Sequence, residues 1–406
     1  MTVREDQLGI ALFDDAYIQD PYPLYRQMHD AGAVHAIGDS GFYAVSSWDA
    51  INDVIVRPAD FSSNLTATMT YENGNVGQFV FSELGSEIQA LATADDPAHA
   101  AHRKLLLPQL AARRIKSVED YVREIEALLW DENVHDGHTE WMSAMANRLP
   151  MMIVTRLIGV PDVDSEQLMR WGYAGTKTVE GLVSQQELAQ AGADVMELAV
   201  YINEHFLAAA ESPADNLLGD LAIARAAGDL TDATALNIMA TLFSAGGEST
   251  ASLIGSAAHV LATNSQVQQR VRENPDLLGT FLEEVLRFEP PFRGHYRHVV
   301  NDTSLDGTDL PAGSRLILLW GAANRDPSHF DDANEFRLDR IGGKGHITFG
   351  KGAHFCVGAA LARLEAKIVI GKLLERTTNI EAADVGRWLP SLLVRRLERL
   401  DLRVRA

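Results

Sequence analysis

A single cysteine, Cys356, serves a chain of 406 residues. One thiol forms no internal disulfide and builds no cysteine-rich zinc or iron–sulfur site. The fold must therefore be held by an apolar core, and a hydrophobic content of 46% is enough for a large one. Three roles stay open for the thiol: an inert buried group, a nucleophile, or one axial ligand to a metal. Its neighbours are Phe349-Gly350-Lys351-Gly352-Ala353-His354-Phe355-Cys356-Val357-Gly358. Gly350, Gly352 and Gly358 permit a tight backbone path that side chains would block. From Val357 to Ile370 the spacing reads as a helix, which places Cys356 at its N-terminus. Free N–H groups and the positive dipole end favour a thiolate there.

Lys and Arg number 35 against 56 Asp and Glu, a net charge of −21. Such a surface repels nucleic acid and anionic membranes. The first residues lack the apolar core of a secretory signal. No run approaches the ~20 apolar residues of a spanning helix. With one cysteine, the expectation is a soluble protein of the cytoplasm.

No repeat, low-complexity stretch or Pro/Ser/Gly-rich linker divides the chain, so one domain over 1–406 is expected. Apolar residues recur at three- and four-residue spacing through most of it. A helix is expected to open at Pro21, a short strand at Gly41–Ser46, and a surface helix over Ser117–Trp130. The longest candidate runs from Thr231, an N-cap residue, to about Thr263. It is apolar on several faces and interrupted by Gly246-Gly247. Asn274-Pro275 starts a helix that Pro290-Pro291 stops. Strands are expected at Arg315–Trp320 and Ser391–Arg395. The fold class is mainly α with a minor β region.

Gly345-His346-Ile347-Thr348-Phe349-Gly350-Lys351 imitates a phosphate loop. Gly352 stands where the Mg²⁺-binding Ser or Thr belongs, and no apolar strand leads in. No G-x-G-x-x-G sits at a strand–helix turn, so no bound dinucleotide is implied.

The pattern Phe349-Gly350-x-Gly352-x-His354-x-Cys356-x-Gly358 resembles the haem-binding loop of the cytochrome P-450 superfamily, the haem-thiolate monooxygenases. Glu284-Val285-Leu286-Arg287 resembles its E-x-x-R pair, whose i,i+3 spacing puts both side chains on one helix face. Ala323–Pro327 and Phe336–Arg340 resemble the meander that follows. The resemblance spans Asp20 to Val394 and resembles the soluble bacterial branch. It implies a single large helical domain with small β-sheets and a structural network of Glu284, Arg287 and Arg340. It further implies haem b held by Cys356 as the iron ligand, with Phe349 and Gly358 in the loop. Propionate partners carried over are His99 and Arg103 of an H-x-x-x-R, Arg297, and His346 ahead of the loop. Each of these alone reads equally as an ordinary surface residue.

Ala245-Gly246-Gly247-Glu248-Ser249-Thr250 resembles the family's oxygen-activation segment. By that likeness Gly246 leaves room beside the iron, while Glu248 and Ser249 pass protons during the activation of O₂. Ser249 stands where threonine is usual. It keeps the hydroxyl but loses the methyl that restricts its rotamers.

The implied reaction inserts one oxygen atom into an apolar small molecule. Electrons would come from NAD(P)H through an external reductase and a ferredoxin. Lys104, Arg113, Arg114, Lys116, Lys351 and Arg363 are candidates for a proximal basic docking patch, although scattered solvated charges would read the same. A monomer is expected. A peroxide-driven peroxygenase, a non-catalytic haem sensor and a haem-free helical protein are the competing readings; the first two leave the Glu248–Ser249 pair without a purpose. Pocket residues are expected from 62–91, 171–190, 242–246, 292–295 and 392–394. Asn64, Thr66, Thr68, Thr70 and Tyr71 lend the first stretch polarity, and Arg293 is a candidate anchor for an acidic or carbonyl group.

Overall fold

A computed structural model describes residues 2–81, 89–161, 165–340 and 345–405. Part of the 62–91 stretch, residues 82–88, thus lies outside the described residues. Helices dominate, and the longest, Asp232–Thr263, runs through the centre. Thr231 caps it by accepting a hydrogen bond from the Thr234 N–H at 3.1 Å. It packs against helices Arg148–Ile158, Ser165–Lys177, Gln185–Glu211 and Ala359–Arg376. That explains why its apolar residues occupy several faces. The expected interruption at Gly246-Gly247 does not occur, and the helix is continuous through both. Gly247 serves close packing instead: a Cβ there would lie 2.4 Å from Met151 Cε.

One apolar cluster joins the central helix to the helices Ala112–Asn133, Leu278–Phe288 and Ala359–Arg376 through Ile254, Val285 and Val369. A second lies under the N-terminal segment around Leu24, Tyr25 and Ile317. The five-stranded sheet has the order Val34–Ala36, Phe42–Val45, Arg315–Leu319, Gly294–Val299, Phe61–Ser62. Only Phe42–Val45 and Arg315–Leu319 run parallel; the other pairs are antiparallel. Leu316 stands opposite Arg297, and strand alternation sends Arg297 and the buried Tyr296 to opposite faces.

Two local expectations need correction. Ser391–Arg395 is not a strand: it carries one isolated bridge, Phe292–Val394, with Arg293 N–H donating to the Leu393 carbonyl at 2.7 Å and Arg395 N–H to the Pro291 carbonyl at 2.8 Å. Ser391 Oγ accepts from the N–H groups of Leu393 and Val394, which turns the chain, and the Leu392 N–H donates to the Glu180 carbonyl at 3.1 Å, so no continuous ladder forms. Conversely, a hairpin, Ala67–Glu72 with Asn75–Val80, forms where only a polar pocket wall was expected. Its turn is Asn73-Gly74, both at positive φ, the pairing a two-residue hairpin turn demands.

Candidate active site

The loop before Cys356 folds back on itself. Gly350 and Gly352 sit at φ +69° and +67°, a region that side chains strain to enter. The turn brings the Cys356 N–H onto the Phe349 carbonyl at 2.8 Å. Gly358 has an ordinary negative φ and caps helix Ala359–Arg376, so its role is not the conformational one expected. Cys356 is an exposed residue, although its thiol is densely surrounded. Burial raises the thiol pKa, while the Gly358 and Ala359 N–H groups and the Arg103 and Arg363 cations oppose it. Val357 packs against the apolar cluster to which Met239 and Phe243 of the central helix also belong.

Beside the loop, four cationic or titratable groups gather. Arg103 Nη1 donates to the Phe355 carbonyl at 2.7 Å. His99 and His354 stack with ring centroids 3.9 Å apart. His354 Nε2 lies 3.0 Å from Ser63 Oγ, and burial, then His99 and Arg297, push its pKa down to about 4. Arg297 is bonded at Nη1 only to its neighbour's carbonyl, Tyr296 O at 2.7 Å. Burial lowers its pKa to about 10 against the pull of Asp95. Among the described residues neither Arg103 nor Arg297 has a carboxylate ion-pair partner. Two guanidiniums without carboxylates, near an exposed cysteine, suit a ligand carrying two carboxylates and an iron atom.

His346 is not in that group. Its Nε2 faces Glu283 Oε2 at 3.1 Å, while its Nδ1 accepts from the Thr348 N–H at 3.3 Å. Both ring nitrogens are thus engaged on the far side of the loop. The histidine that stacks on His99 is His354 of the loop itself. His354 is a fixed position of the loop pattern, two residues before Cys356, but the resemblance did not single it out as a propionate partner.

On the central helix, Ser249 and Ala245 share an accessible side, with Gly246 half-buried beside them. Ser249 Oγ donates to the Ala245 carbonyl at 2.6 Å. Its lone pairs are left to accept from the open side. Glu248 is buried and points elsewhere. Its Oε1 accepts from Arg396 Nε at 3.1 Å and its Oε2 from the Thr176 hydroxyl. Arg396 also lies over the Tyr173 ring, 4.6 Å from its centroid. Glu180 joins this cluster: burial, then Glu248, push its carboxyl pKa up to about 8 against Lys177 and Arg396. Arg396, Thr176 and Glu180 carried no recognisable sequence pattern.

The network beneath is fully connected. Arg287 clasps Glu284 with Nε and Nη2 at 2.8 and 2.7 Å. Arg287 also donates to the carbonyls of Asn324, Ala333 and Glu335 at 2.9, 2.7 and 2.8 Å. Arg340 Nε reaches Glu284 Oε1 at 3.3 Å. Arg293, by contrast, is no substrate anchor: it is buried and donates to the Ile18 carbonyl.

A family model described as Cytochrome P450 matches residues 185–380. Cytochrome P450 144 of Mycobacterium tuberculosis is 61% identical over 405 residues, covering all of this chain and 93% of the relative. The chain belongs to the cytochrome P450 family. Putative cytochrome P450 123 of Mycobacterium bovis is 31% identical over 95% of this chain and 94% of its own length. Among solved structures, ligand-free CYP164A2 of Mycobacterium smegmatis superposes with a TM-score of 0.87 at 26% identity, covering 98% of this chain and 100% of the other. P450BioI, in complex with hexadec-9Z-enoic acid ligated acyl carrier protein, gives 0.86 at 27%, covering 96% and 99%. CYP109E1 of Bacillus megaterium, in complex with testosterone, gives 0.85 at 26%, covering 96% and 99%. As a cytochrome P450 the protein is a haem-thiolate monooxygenase, an oxidoreductase that uses haem and O₂. Among the described residues no helix is long and apolar enough to cross a membrane.

Proposed function

We propose that this cytochrome P450 holds its haem iron through the Cys356 thiolate and its propionates through Arg297, Arg103, His99 and His354. The observation that carries the reading is the exposed Cys356 and, near its loop, two guanidiniums that among the described residues have no carboxylate ion-pair partner. When bound, the haem supplies the oxidative chemistry that inserts one atom of O₂ into a substrate. The chain's residues position, exclude water and manage protons. Ser249 Oγ, its own proton committed to Ala245, accepts a hydrogen bond on the open side of the helix. Glu248 is the proton carrier, and it must leave Arg396 and Thr176 for a proton to pass to Ser249.

The substrate class we infer is an apolar small molecule. Testosterone and a fatty acyl chain, held by two structurally similar enzymes, are both of that kind. The polar wall expected to anchor it is partly spent: Thr66 Oγ1 accepts from Arg315 Nε at 3.0 Å, and Thr70 is buried. Electrons are proposed to come from NAD(P)H through a ferredoxin docking on the proximal side. Of the six candidate cations two are already ion-paired, Arg114 with Asp215 and Arg363 with Glu283. The patch therefore reduces to the exposed Lys104, Arg113, Lys116 and Lys351. A cytoplasmic setting, suited to a lone thiol, completes the reading.

The test is Cys356→Ala in the purified haem-loaded protein. Loss of the thiolate-type absorption band of the reduced carbon monoxide complex is expected. Retention of that band would end the ligand assignment.

A further inference from the structure

The ion pair that removes Arg363 from the docking patch has a second consequence. Glu283 grips the Arg363 guanidinium from both oxygens, with Nε to Oε1 at 2.6 Å and Nη2 to Oε2 at 2.8 Å. His346 Nε2 lies 3.1 Å from the same Oε2. The guanidinium is thereby pressed over the Phe349 ring, 4.4 Å from its centroid. Phe349 is the residue whose carbonyl accepts the Cys356 N–H. Arg363 lies on helix Ala359–Arg376, within Coulombic reach of the Cys356 sulfur. One cation and one anion therefore stand as a fixed dipole beside the loop. A bidentate pair stacked on an aromatic ring has one geometry, which a lone surface arginine lacks.

We propose that Glu283 is a positioning residue for the haem-thiolate centre: it clamps Arg363 against Phe349, and the balance of these two charges sets the reduction potential of the bound iron. The inference rests on Cys356 being the iron ligand. The physical basis is that a nearby cation stabilises added negative charge and a nearby anion opposes it, with the solvent screening of a partly exposed pair reducing both effects. Removing the anion leaves Arg363 uncompensated, which favours the ferrous state. Removing the cation leaves Glu283 uncompensated, which disfavours it.

The experiment is a spectroelectrochemical titration of the substrate-free holoenzyme and of Glu283→Gln, Arg363→Gln and the double variant. Glu283→Gln is expected to shift the midpoint potential upward and Arg363→Gln downward, with the double variant close to the parent. Both single shifts should shrink in high salt, because the pair is partly exposed. Shifts of the same sign in the two single variants, as loosened packing would give, would overturn the proposal, as would no shift in either. Should Glu283→Gln fail to load haem, Arg363→Gln decides alone, and a raised or unchanged potential refutes it. Cys356→Ala keeps the underlying reading separate. If that variant retains the thiolate band, the ligand assignment fails; if it loses the band while the Glu283 and Arg363 variants keep the parent potential, only this inference fails.

Discussion

Arg396, from the C-terminal segment, donates its Nε to Glu248 Oε1 at 3.1 Å, across 148 residues of sequence. The acid of the oxygen-activation segment is therefore held in a buried ion pair, about 100° around the helix from Ser249. Glu248→Gln should keep the hydrogen bond to Thr176 but carry no transferable proton. Product formation is expected to fall by about 10²-fold, the lower end for a positioned proton-transfer group. Substrate-induced spectral shifts should stay unchanged. Steady-state turnover with competent redox partners checks it, and parent-like turnover would remove Glu248 from the relay.

The hydroxyl of Ser249 already donates to Ala245, which is what a threonine in a helix would also do. The expected outcome is that Ser249→Thr retains activity, whereas Ser249→Ala diverts electrons to hydrogen peroxide. Peroxide released per NAD(P)H consumed is the measurement. Equal coupling in Ser249→Ala and the parent would show that the side chain has no part in proton handling.

Glu284 and Arg287 are both nearly inaccessible to solvent. Replacing Glu284 with Gln leaves a buried guanidinium without its counter-charge, at a cost of about 3–5 kcal/mol. The variant should accumulate poorly and bind haem weakly, with a melting temperature well below that of the parent. Thermal unfolding of the apoprotein and holoprotein tests this, since a purely local effect on haem binding would leave the apoprotein unchanged.

Stability should also depend on pH through Glu180. Burial first, and then Glu248, raise its pKa from 4.5 to about 8. The folded chain thus holds a proton that the unfolded chain has released. Its contribution is complete below about 4.5 and is lost as the pH climbs through about 8. Glu126, raised by burial to about 7 despite Arg376, acts in the same direction. Stability should fall between about pH 5 and pH 8, more steeply in the parent than in Glu180→Gln, by roughly 1.4 kcal/mol per pH unit for one proton, read as a falling melting temperature. Identical pH profiles for the two proteins would contradict the raised pKa.

Much of this protein was legible in order along the chain. Helical spacing and the Thr231 cap marked the central helix, because both signals are local. Gly350 and Gly352 marked the bend before Cys356, because their φ angles exclude most other residues. Where local signals conflicted with packing, they misled. Gly246-Gly247 suggested a break, but the helix continues because Met151 fills the space that side chains would have taken. The apolar run at Ser391–Arg395 suggested a strand, but Ser391 takes the Leu393 and Val394 N–H groups and the remaining backbone bonds go to separate segments, Glu180 and Pro291, so one isolated bridge forms instead of a ladder.

The sequence alone determined that one thiolate at a helix start could serve one metal, and that the surrounding chain was mainly helical. Only the tertiary structure decided which cations stand beside that thiol and which are already spent. His346 and His354 are equally plausible by spacing, yet one is tied to Glu283 and the other stacks on His99. Arg363 and Lys104 look alike in sequence, yet one is neutralised and the other is exposed. The reason is physical: a charge acts through its nearest partners, and those partners lie tens to hundreds of residues away along the chain.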